Sequence, residues 1–79
     1  MTKSEVMEKI KEILNDLFDD DFDVTESTVA DDIDGWDSLA HLQVISAMES
    51  GFNIHFTLGE INNFANVGEM ADSILKHLG

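Results

Sequence analysis

Ser38 and His41 are the residues of this sequence with the clearest potential for chemistry. Ser38 follows Gly35-Trp36-Asp37, and His41 comes three residues after it. Asp37 is a residue type that caps helices and Gly35 allows a turn before it, so Ser38 is predicted to open a helix. The free N–H groups and positive dipole at that end would stabilise a phosphate group on Ser38, typically by about 0.3–1 kcal/mol. A hydroxyl that only helps to cap the helix explains the same position.

Catalysis by Ser38 is the first alternative. The three-residue spacing places both side chains outward on one helix face, and nothing holds the His41 imidazole against the hydroxyl. The nucleophile elbow G-x-S-x-G needs a glycine two residues after the serine, where this chain has Ala40. The sequence therefore predicts a protein that is not an enzyme, with His41 as a surface or partner-contact residue.

A calcium loop is the second alternative, because acidic residues crowd the stretch from 19 to 37. An EF-hand loop needs glycine at its sixth position and glutamate at its twelfth. Starting at Asp19, those positions hold Val24 and Ala30. Placing Gly35 sixth puts His41 twelfth. Both registers fail, so no metal site is predicted beyond weak divalent binding that relieves charge repulsion.

The elements that position Ser38 are predicted to be helices. Thr2-Lys3-Ser4-Glu5 has the form of a capping box, and an apolar stripe of helical period follows it to about residue 18. A long loop leads to the second helix, which starts near Asp37 and stops at Gly51. An extended connector over 52–56, a short helix over 58–64 and a last helix over 66–78 complete the chain. The prediction is an all-α, small four-helix bundle, with three main helices and one short helix.

The composition of the chain limits the classes of partner that we expect it to bind. The chain has 79 residues, which predicts a single domain over 1–79, and it contains no cysteine. Seventeen acidic residues face four basic ones, giving a net charge of −13. Such a field repels nucleic acids and anionic membranes and attracts proteins with basic patches. No apolar signal core or membrane-length segment is present, so we expect a cytoplasmic monomer.

The run Asp37-Ser38-Leu39 resembles the attachment motif of acyl carrier proteins. The similarity extends over nearly the whole chain, through the order of the helices, the acidic loop and Ala47-Met48-Glu49 followed by Gly51-Phe52. The resemblance implies that Ser38 carries a 4′-phosphopantetheine arm, which a phosphopantetheinyl transferase moves from coenzyme A. The thiol of the arm would hold acyl groups as thioesters, in fatty-acid-like, polyketide or another specialised biosynthesis.

The resemblance also implies which residues other enzymes recognise, since the second helix is the usual docking surface for acyl-loading and acyl-transfer enzymes with basic patches. The candidates for recognition are Trp36, Asp37, Leu39, His41, Gln43 and Glu49. Gln43, Ser46 and Ser50 stand where fatty-acid carriers are usually rich in glutamate, and W-D-S-L is more similar to carriers of specialised pathways. Six residues are expected to belong primarily to the core. The resemblance implies that they would also line a space that shelters the acyl chain, with limited room for a long chain: Leu42, Ile45, Met48, Phe56, Ile61 and Phe64.

Two other interpretations remain open at this point. The chain could be an aminoacyl or peptidyl carrier, of a non-ribosomal-peptide-type or D-alanine-type pathway. It could also be a helical protein-interaction module in which Ser38 is never modified.

Overall fold

Helices make up the regular structure of the protein, as the periodicity predicted. The computed structural model describes residues 1–19, 21, 23–33, 35–61 and 64–78. Its elements are α1 (Lys3–Phe18), a 3₁₀ turn (Ala30–Asp32), α2 (Ser38–Phe52), α3 (Leu58–Ile61) and α4 (Val67–Leu78). Within those described ranges there is no β-strand, so the all-α prediction is confirmed.

Helix α1 begins at the capping box that the sequence predicts. The Thr2 hydroxyl accepts a hydrogen bond from the Glu5 N–H at 3.2 Å, and the Glu5 carboxylate accepts one from the Thr2 N–H at 2.9 Å. Its apolar stripe is buried against α4 and α2. The helix ends at Phe18, and Asp19 provides the C-terminal cap with a left-handed backbone (φ 52°).

The end of α2 differs from the prediction that Gly51 stops it. The helix runs on to Phe52, and Asn53 takes the left-handed cap position (φ 57°) with its N–H bonded to the Glu49 carbonyl. Gly51 has a different use: a Cβ atom there would lie 2.8 Å from Cδ1 of Ile13 on α1. Gly51 thus faces the end of the Ile13 side chain on α1, a contact that a local reading of the sequence does not reveal.

The segment after α2 confirms the predicted alternation, since Ile54 and Phe56 are buried whereas Asn53 and His55 are exposed. Helix α3 is shorter than predicted. It ends at Ile61, positions 62 and 63 of the predicted helix lie outside the described residues, and Phe64 is not helical.

The predicted N-x-x-E cap opens α4. The Asn66 side-chain oxygen accepts a hydrogen bond from the Glu69 N–H at 2.9 Å. The Glu69 carboxylate reaches one residue further back than in an ordinary capping box and accepts from the Ala65 N–H at 2.9 Å.

The loop between α1 and α2 is attached to α4 through its backbone. The Thr28 carbonyl accepts a hydrogen bond from the Val67 N–H, and the Glu26 carbonyl accepts one from the Gly68 N–H, both at 2.8 Å. These N–H groups belong to the first turn of α4, which has no intrahelical acceptors for them. Ile33 is buried further along the loop. The approach to Ser38 is therefore fixed from both sides of the 3₁₀ turn.

Lys3 joins α1, this loop and α4 next to the same attachment point. Its ammonium lies 2.7 Å from a Glu26 carboxylate oxygen and 2.8 Å from one of Asp72 on α4. Hydrogen bonds to Asp72 and Glu26 raise the pKa of Lys3 above its usual value. The contact is solvent-accessible, so its contribution to stability is small.

One apolar core is shared by α1, α2, the connector and α4. Its most deeply buried large side chains come from three helices: Val6, Ile10, Leu14, Val44, Met48, Val67, Met70 and Ile74. No helix in the described part of the chain combines the length and apolar character needed to cross a bilayer.

Candidate functional site

Ser38 is the first residue of α2, and its side chain is exposed. Asp37 is the N-cap: its Oδ1 accepts a hydrogen bond from the Ala40 N–H at 2.8 Å. Its carbonyl accepts the first backbone bond of the helix, from the His41 N–H at 2.8 Å. The capping role therefore belongs to Asp37. The Ser38 hydroxyl makes no hydrogen bond to any residue in the described ranges, and another molecule can approach it.

Gly35 sets the direction in which the chain enters α2. Its φ is +89°, a backbone conformation that residues with a Cβ rarely adopt. Space is not the constraint, because a Cβ there would make only an ordinary 3.9 Å contact with Phe18. The turn places the Trp36 side chain inward and leaves Asp37 at the helix end. The sequence prediction for Gly35 is confirmed.

Trp36, His41 and Ile61 form a hydrogen-bonded chain that crosses from the loop to α3. The Trp36 indole N–H donates to Nδ1 of His41 at 3.2 Å, and Nε2 of His41 lies 3.2 Å from the Ile61 carbonyl oxygen. The Trp36 and His41 rings also stack, with centroids 6.1 Å apart. The expectation that His41 points outward is wrong: its ring is half-buried and both nitrogens contact this chain.

A groove of about 560 Å³ lies next to Ser38. Its walls come from the loop, α2 and α3: Ala30, Trp36, Asp37, His41, Leu42 and Ile61. The lining is mainly apolar, and Asp37 is the residue with a full charge in it. The groove therefore suits an uncharged or apolar segment tethered at Ser38.

The six residues predicted to line an acyl pocket divide into groups. Leu42 and Ile61 line the groove beside Ser38. Ile45, Met48 and Phe56 are buried in the packed core instead. Phe64 is half-buried and packs edge-on against Phe56, with ring centroids 5.4 Å apart.

The prediction that Leu42 belongs primarily to the core is wrong, because this residue is 60% exposed. Its position on the groove side of α2 faces solvent, whereas Ile45 and Met48 turn towards the core.

The residues predicted for partner recognition differ in their exposure to solvent. Leu39 is 68% exposed and Gln43 is exposed as well, while Trp36 is half-buried. The Glu49 carboxylate accepts a hydrogen bond from the Phe56 N–H at 2.8 Å, and its side chain is only 27% exposed. The main charge expected on this helix thus ties α2 to the connector, so its availability to a partner is reduced.

The charged residues that flank Ser38 in the sequence are all acidic. The sequence contains no lysine or arginine between positions 12 and 75. Asp37, Asp31 and Asp32 are exposed and precede α2. The outer face of α2 is formed by uncharged residues, namely Ser38, Leu39, Leu42, Gln43, Ser46 and Ser50. The exposed negative charge therefore lies ahead of the helix and not on its outer face.

A polar cluster between α3 and α4 was not predicted. The Glu60 carboxylate accepts hydrogen bonds from the Ser73 hydroxyl at 2.6 Å, the Thr57 N–H at 2.9 Å and Nε2 of His77 at 2.8 Å. These bonds, from Ser73 first, lower the pKa of Glu60 from 4.5 to about 2. The sequence signal was available, because Thr57-Leu58-Gly59-Glu60 has the T-x-x-E form of a capping box.

Ser73, His77 and Glu60 are residue types found in catalytic triads, but their arrangement is different. Both Ser73 and His77 bond to Glu60, so the imidazole is not placed to take a proton from the hydroxyl. The cluster holds α3 on α4. In the part of the chain that the structure describes, no group of three or more His, Cys, Asp or Glu side chains is arranged to hold a metal ion.

A solved structure is similar to this chain over most of its length. No protein-family model matches the chain, and no curated protein matches it. Among solved structures, it is similar to the solution NMR structure of a holo acyl carrier protein from Geobacter metallireducens. The two chains share 40% sequence identity with a TM-score of 0.87, over 92% of this chain and 85% of the other.

Proposed function

This chain belongs to the acyl carrier protein family, and on that premise we propose that Ser38 carries a 4′-phosphopantetheine arm. The observation that supports this assignment most directly is the exposed Ser38 hydroxyl at the start of α2, with the cap already provided by Asp37. A hydroxyl that neither caps the helix nor packs inside is free for covalent modification. The family resemblance supplies the identity of the group.

The residues around Ser38 fit such an arm. Asp37 takes the N–H groups of Ala40 and His41, which leaves those of Ser38 and Leu39 in the first turn without intrahelical acceptors, close to where a phosphodiester on Ser38 would lie. The helix dipole favours one negative charge there, typically by about 0.3–1 kcal/mol. The groove of about 560 Å³ begins at Ser38 and offers an apolar surface to the uncharged part of the arm and its cargo.

The modification is a phosphoryl transfer in which this chain supplies the nucleophile. A bond forms between the Ser38 oxygen and the phosphorus that bears pantetheine in coenzyme A. The P–O bond to the other phosphate of the diphosphate breaks, and adenosine 3′,5′-bisphosphate leaves. The hydroxyl proton passes to a base of the transferase. Once attached, the arm supplies a thiol that holds acyl groups as thioesters, which explains how a chain without cysteine takes part in thioester chemistry.

The distribution of charge suggests how partner enzymes bind. We propose that the transferase and the acyl-loading and acyl-transfer enzymes contact Leu39 and Leu42 through apolar pockets. Their basic residues would face Asp31, Asp32 and Asp37, which are exposed at the entrance to α2. Apolar contacts at the centre with charged contacts at the edge follow the usual design of an interface.

The cargo that suits this site best is an acyl group held as a thioester, in fatty-acid-like, polyketide or another specialised biosynthesis. Leu42 and Ile61 provide the apolar surface for it. An aminoacyl or peptidyl cargo is the alternative, and the mass of the group attached to the arm distinguishes the two.

The test is the intact mass of the protein after incubation with coenzyme A, magnesium and a promiscuous phosphopantetheinyl transferase. We expect a gain of one arm that Ser38→Ala abolishes. Ser46→Ala is the matched control, because Ser46 is an exposed serine on the same helix and its replacement should leave the gain intact. The absence of a mass gain with several transferases would contradict the proposal and favour an unmodified interaction module.

A further inference from the structure

We infer that Trp36 and His41 form a partition that keeps the cargo in the groove beside Ser38 and out of the protein core. The inference rests on the proposed function, since it concerns the group carried on Ser38. It assigns to His41 a positioning role that the sequence did not indicate.

The partition separates two spaces of very different size. The groove on the Ser38 side has a volume of about 560 Å³. Behind it lies an inner cavity of about 30 Å³, bounded by Val67 and Met70, which are almost fully buried, and by Phe64. Trp36, His41 and Ala30 line both spaces. The two rings are the large side chains that separate the groove from the inner cavity, and the small side chain of Ala30 completes the boundary.

The inner cavity is too small to hold an acyl chain. Its volume of about 30 Å³ is far below the 560 Å³ of the groove and has room for only a few water molecules. Val67 and Met70 on its inner side belong to the close-packed core, where extra methylene groups cost about 1–3 kcal/mol. A chain on Ser38 therefore remains in the groove, against Leu42 and Ile61, for as long as the partition is closed.

Hydrogen bonds on both sides hold the His41 ring in the partition. An indole N–H is a donor only, so Nδ1 of His41 must be the acceptor of the 3.2 Å bond from Trp36. Nε2 must then carry the proton and donate to the Ile61 carbonyl oxygen at 3.2 Å. The arrangement requires one neutral tautomer of His41, with its proton on Nε2.

Contacts on several sides also fix the position of Trp36. Its ring contacts Phe18 of α1 on one side, with centroids 5.9 Å apart, and His41 on the other, with centroids 6.1 Å apart. The backbone N–H of Trp36 also donates to the Ile33 carbonyl at 3.3 Å. Residues from α1, the loop, α2 and α3 thus meet at the partition, so the two rings cannot move aside without a rearrangement of several elements.

The tautomer provides a first test on the unmodified protein. In ¹⁵N spectra of wild-type protein near neutral pH, we expect Nδ1 of His41 to have the shift of an unprotonated nitrogen and Nε2 that of a protonated one. Trp36→Phe keeps an aromatic ring but removes the donor, and it should allow both neutral tautomers of His41. A wild-type ring that already populates both tautomers would contradict the partition.

The cargo test uses the transferase with octanoyl-coenzyme A and acetyl-coenzyme A to load two matched forms. The reaction of each thioester with hydroxylamine is followed by intact mass. An acetyl group is too short to reach the core, so the ratio of the two rates reports enclosure of the longer chain. For the wild type we expect equal rates. In His41→Ala the octanoyl form should react more slowly, by about tenfold if nine chains in ten are enclosed.

His55→Ala is the matched control, because the His55 side chain is 96% exposed and lies outside the groove. It should behave as the wild type. Contacts in NMR spectra between the octanoyl terminus and Val67 or Met70 should be present only in His41→Ala. Their presence in the wild type, or equal rates in His41→Ala and His55→Ala, would refute the partition. Failure of the wild type to gain either acyl arm would instead refute the proposed function.

Discussion

Replacing Gly68 by alanine is expected to loosen the loop that leads to Ser38. Gly68 lies in the first turn of α4 and is buried under that loop. Its N–H donates to the Glu26 carbonyl at 2.8 Å. A Cβ at this position would lie 2.8 Å from the same carbonyl oxygen and 2.9 Å from Cβ of Glu26. Both distances are below van der Waals contact, and the first involves backbone, which cannot rotate out of the way.

The size of the effect follows from three terms. Steric overlap in a packed site costs about 1–3 kcal/mol. Displacing the Glu26 carbonyl weakens its hydrogen bond with the Gly68 N–H, which contributes about 0.5–1.5 kcal/mol. The lower flexibility of alanine in a helix returns about 0.5–1 kcal/mol. We expect the free energy of unfolding to fall by about 1–3 kcal/mol on balance.

Gly59→Ala is the matched control, because it makes the same chemical change in another helix. No atom lies within 4 Å of the Cβ that alanine would introduce at Gly59. Only the gain in helix propensity applies there, so this variant should be more stable by up to about 1 kcal/mol. Urea unfolding monitored by circular dichroism measures both. With a slope near 1 kcal/mol per molar, the Gly68→Ala midpoint should fall by about 1–3 M.

The outcome that would refute the reasoning is a Gly68→Ala protein as stable as Gly59→Ala. In that case the carbonyl of Glu26 would not be close to α4, and the described attachment of the loop would be wrong. A second check is amide hydrogen exchange, which should become faster at Val67 and Gly68 positions in the variant because their acceptors lie on the loop.

Two further predictions concern the turn and the α3–α4 cluster. Gly35→Ala should lower the free energy of unfolding by about 1–2 kcal/mol, because a residue with a Cβ resists the φ of +89°, and urea unfolding measures the loss. The Glu60 carboxyl should titrate with a midpoint of about 2 in NMR spectra, and Ser73→Ala should raise that pKa towards 4.5 by removing its strongest hydrogen bond. Since the pKa of Glu60 in the folded protein lies below that in the unfolded chain, the stabilisation from Glu60 is present above pH 4.5 and disappears as the pH falls towards 2. Glu60→Gln should remove this part of the acid sensitivity. A Glu60 titration midpoint near 4.5 in the wild type would contradict the described hydrogen bonds.

Local signals in the sequence were sufficient to predict the helices and their beginnings. Thr2, Asp37 and Asn66 each accept the hydrogen bond that their residue type and position predict. Such caps depend on contacts three residues apart, which a sequence displays directly. The apolar stripe of α1 was equally readable, because its period of three and four residues is the period of the helix.

The features that were missed depend on contacts between distant segments. Gly51 was predicted to stop α2, but it faces Ile13 of α1, and Asn53 caps the helix. His41 was predicted to point outward, although it bonds to Ile61, twenty residues away. No local pattern reports such pairings, because they arise only when helices pack.

The sequence predicted the position of Ser38 in the fold but not the residues that surround it. Ser38 is exposed at the start of α2, in the position that the resemblance required. The walls of the groove were only partly foreseen, since Leu42 and Ile61 line it whereas Ile45 and Met48 belong to the core. Which face of a helix turns towards a groove depends on the neighbouring elements, and here the loop and α3 form the opposite wall.

The most direct test of the account is the intact mass of this protein isolated from its own cells, with fragmentation to locate any added group. The account predicts one phosphopantetheine on Ser38, and an additional acyl mass that hydroxylamine removes. A mass that matches the unmodified sequence, or an arm located on a residue other than Ser38, would contradict it.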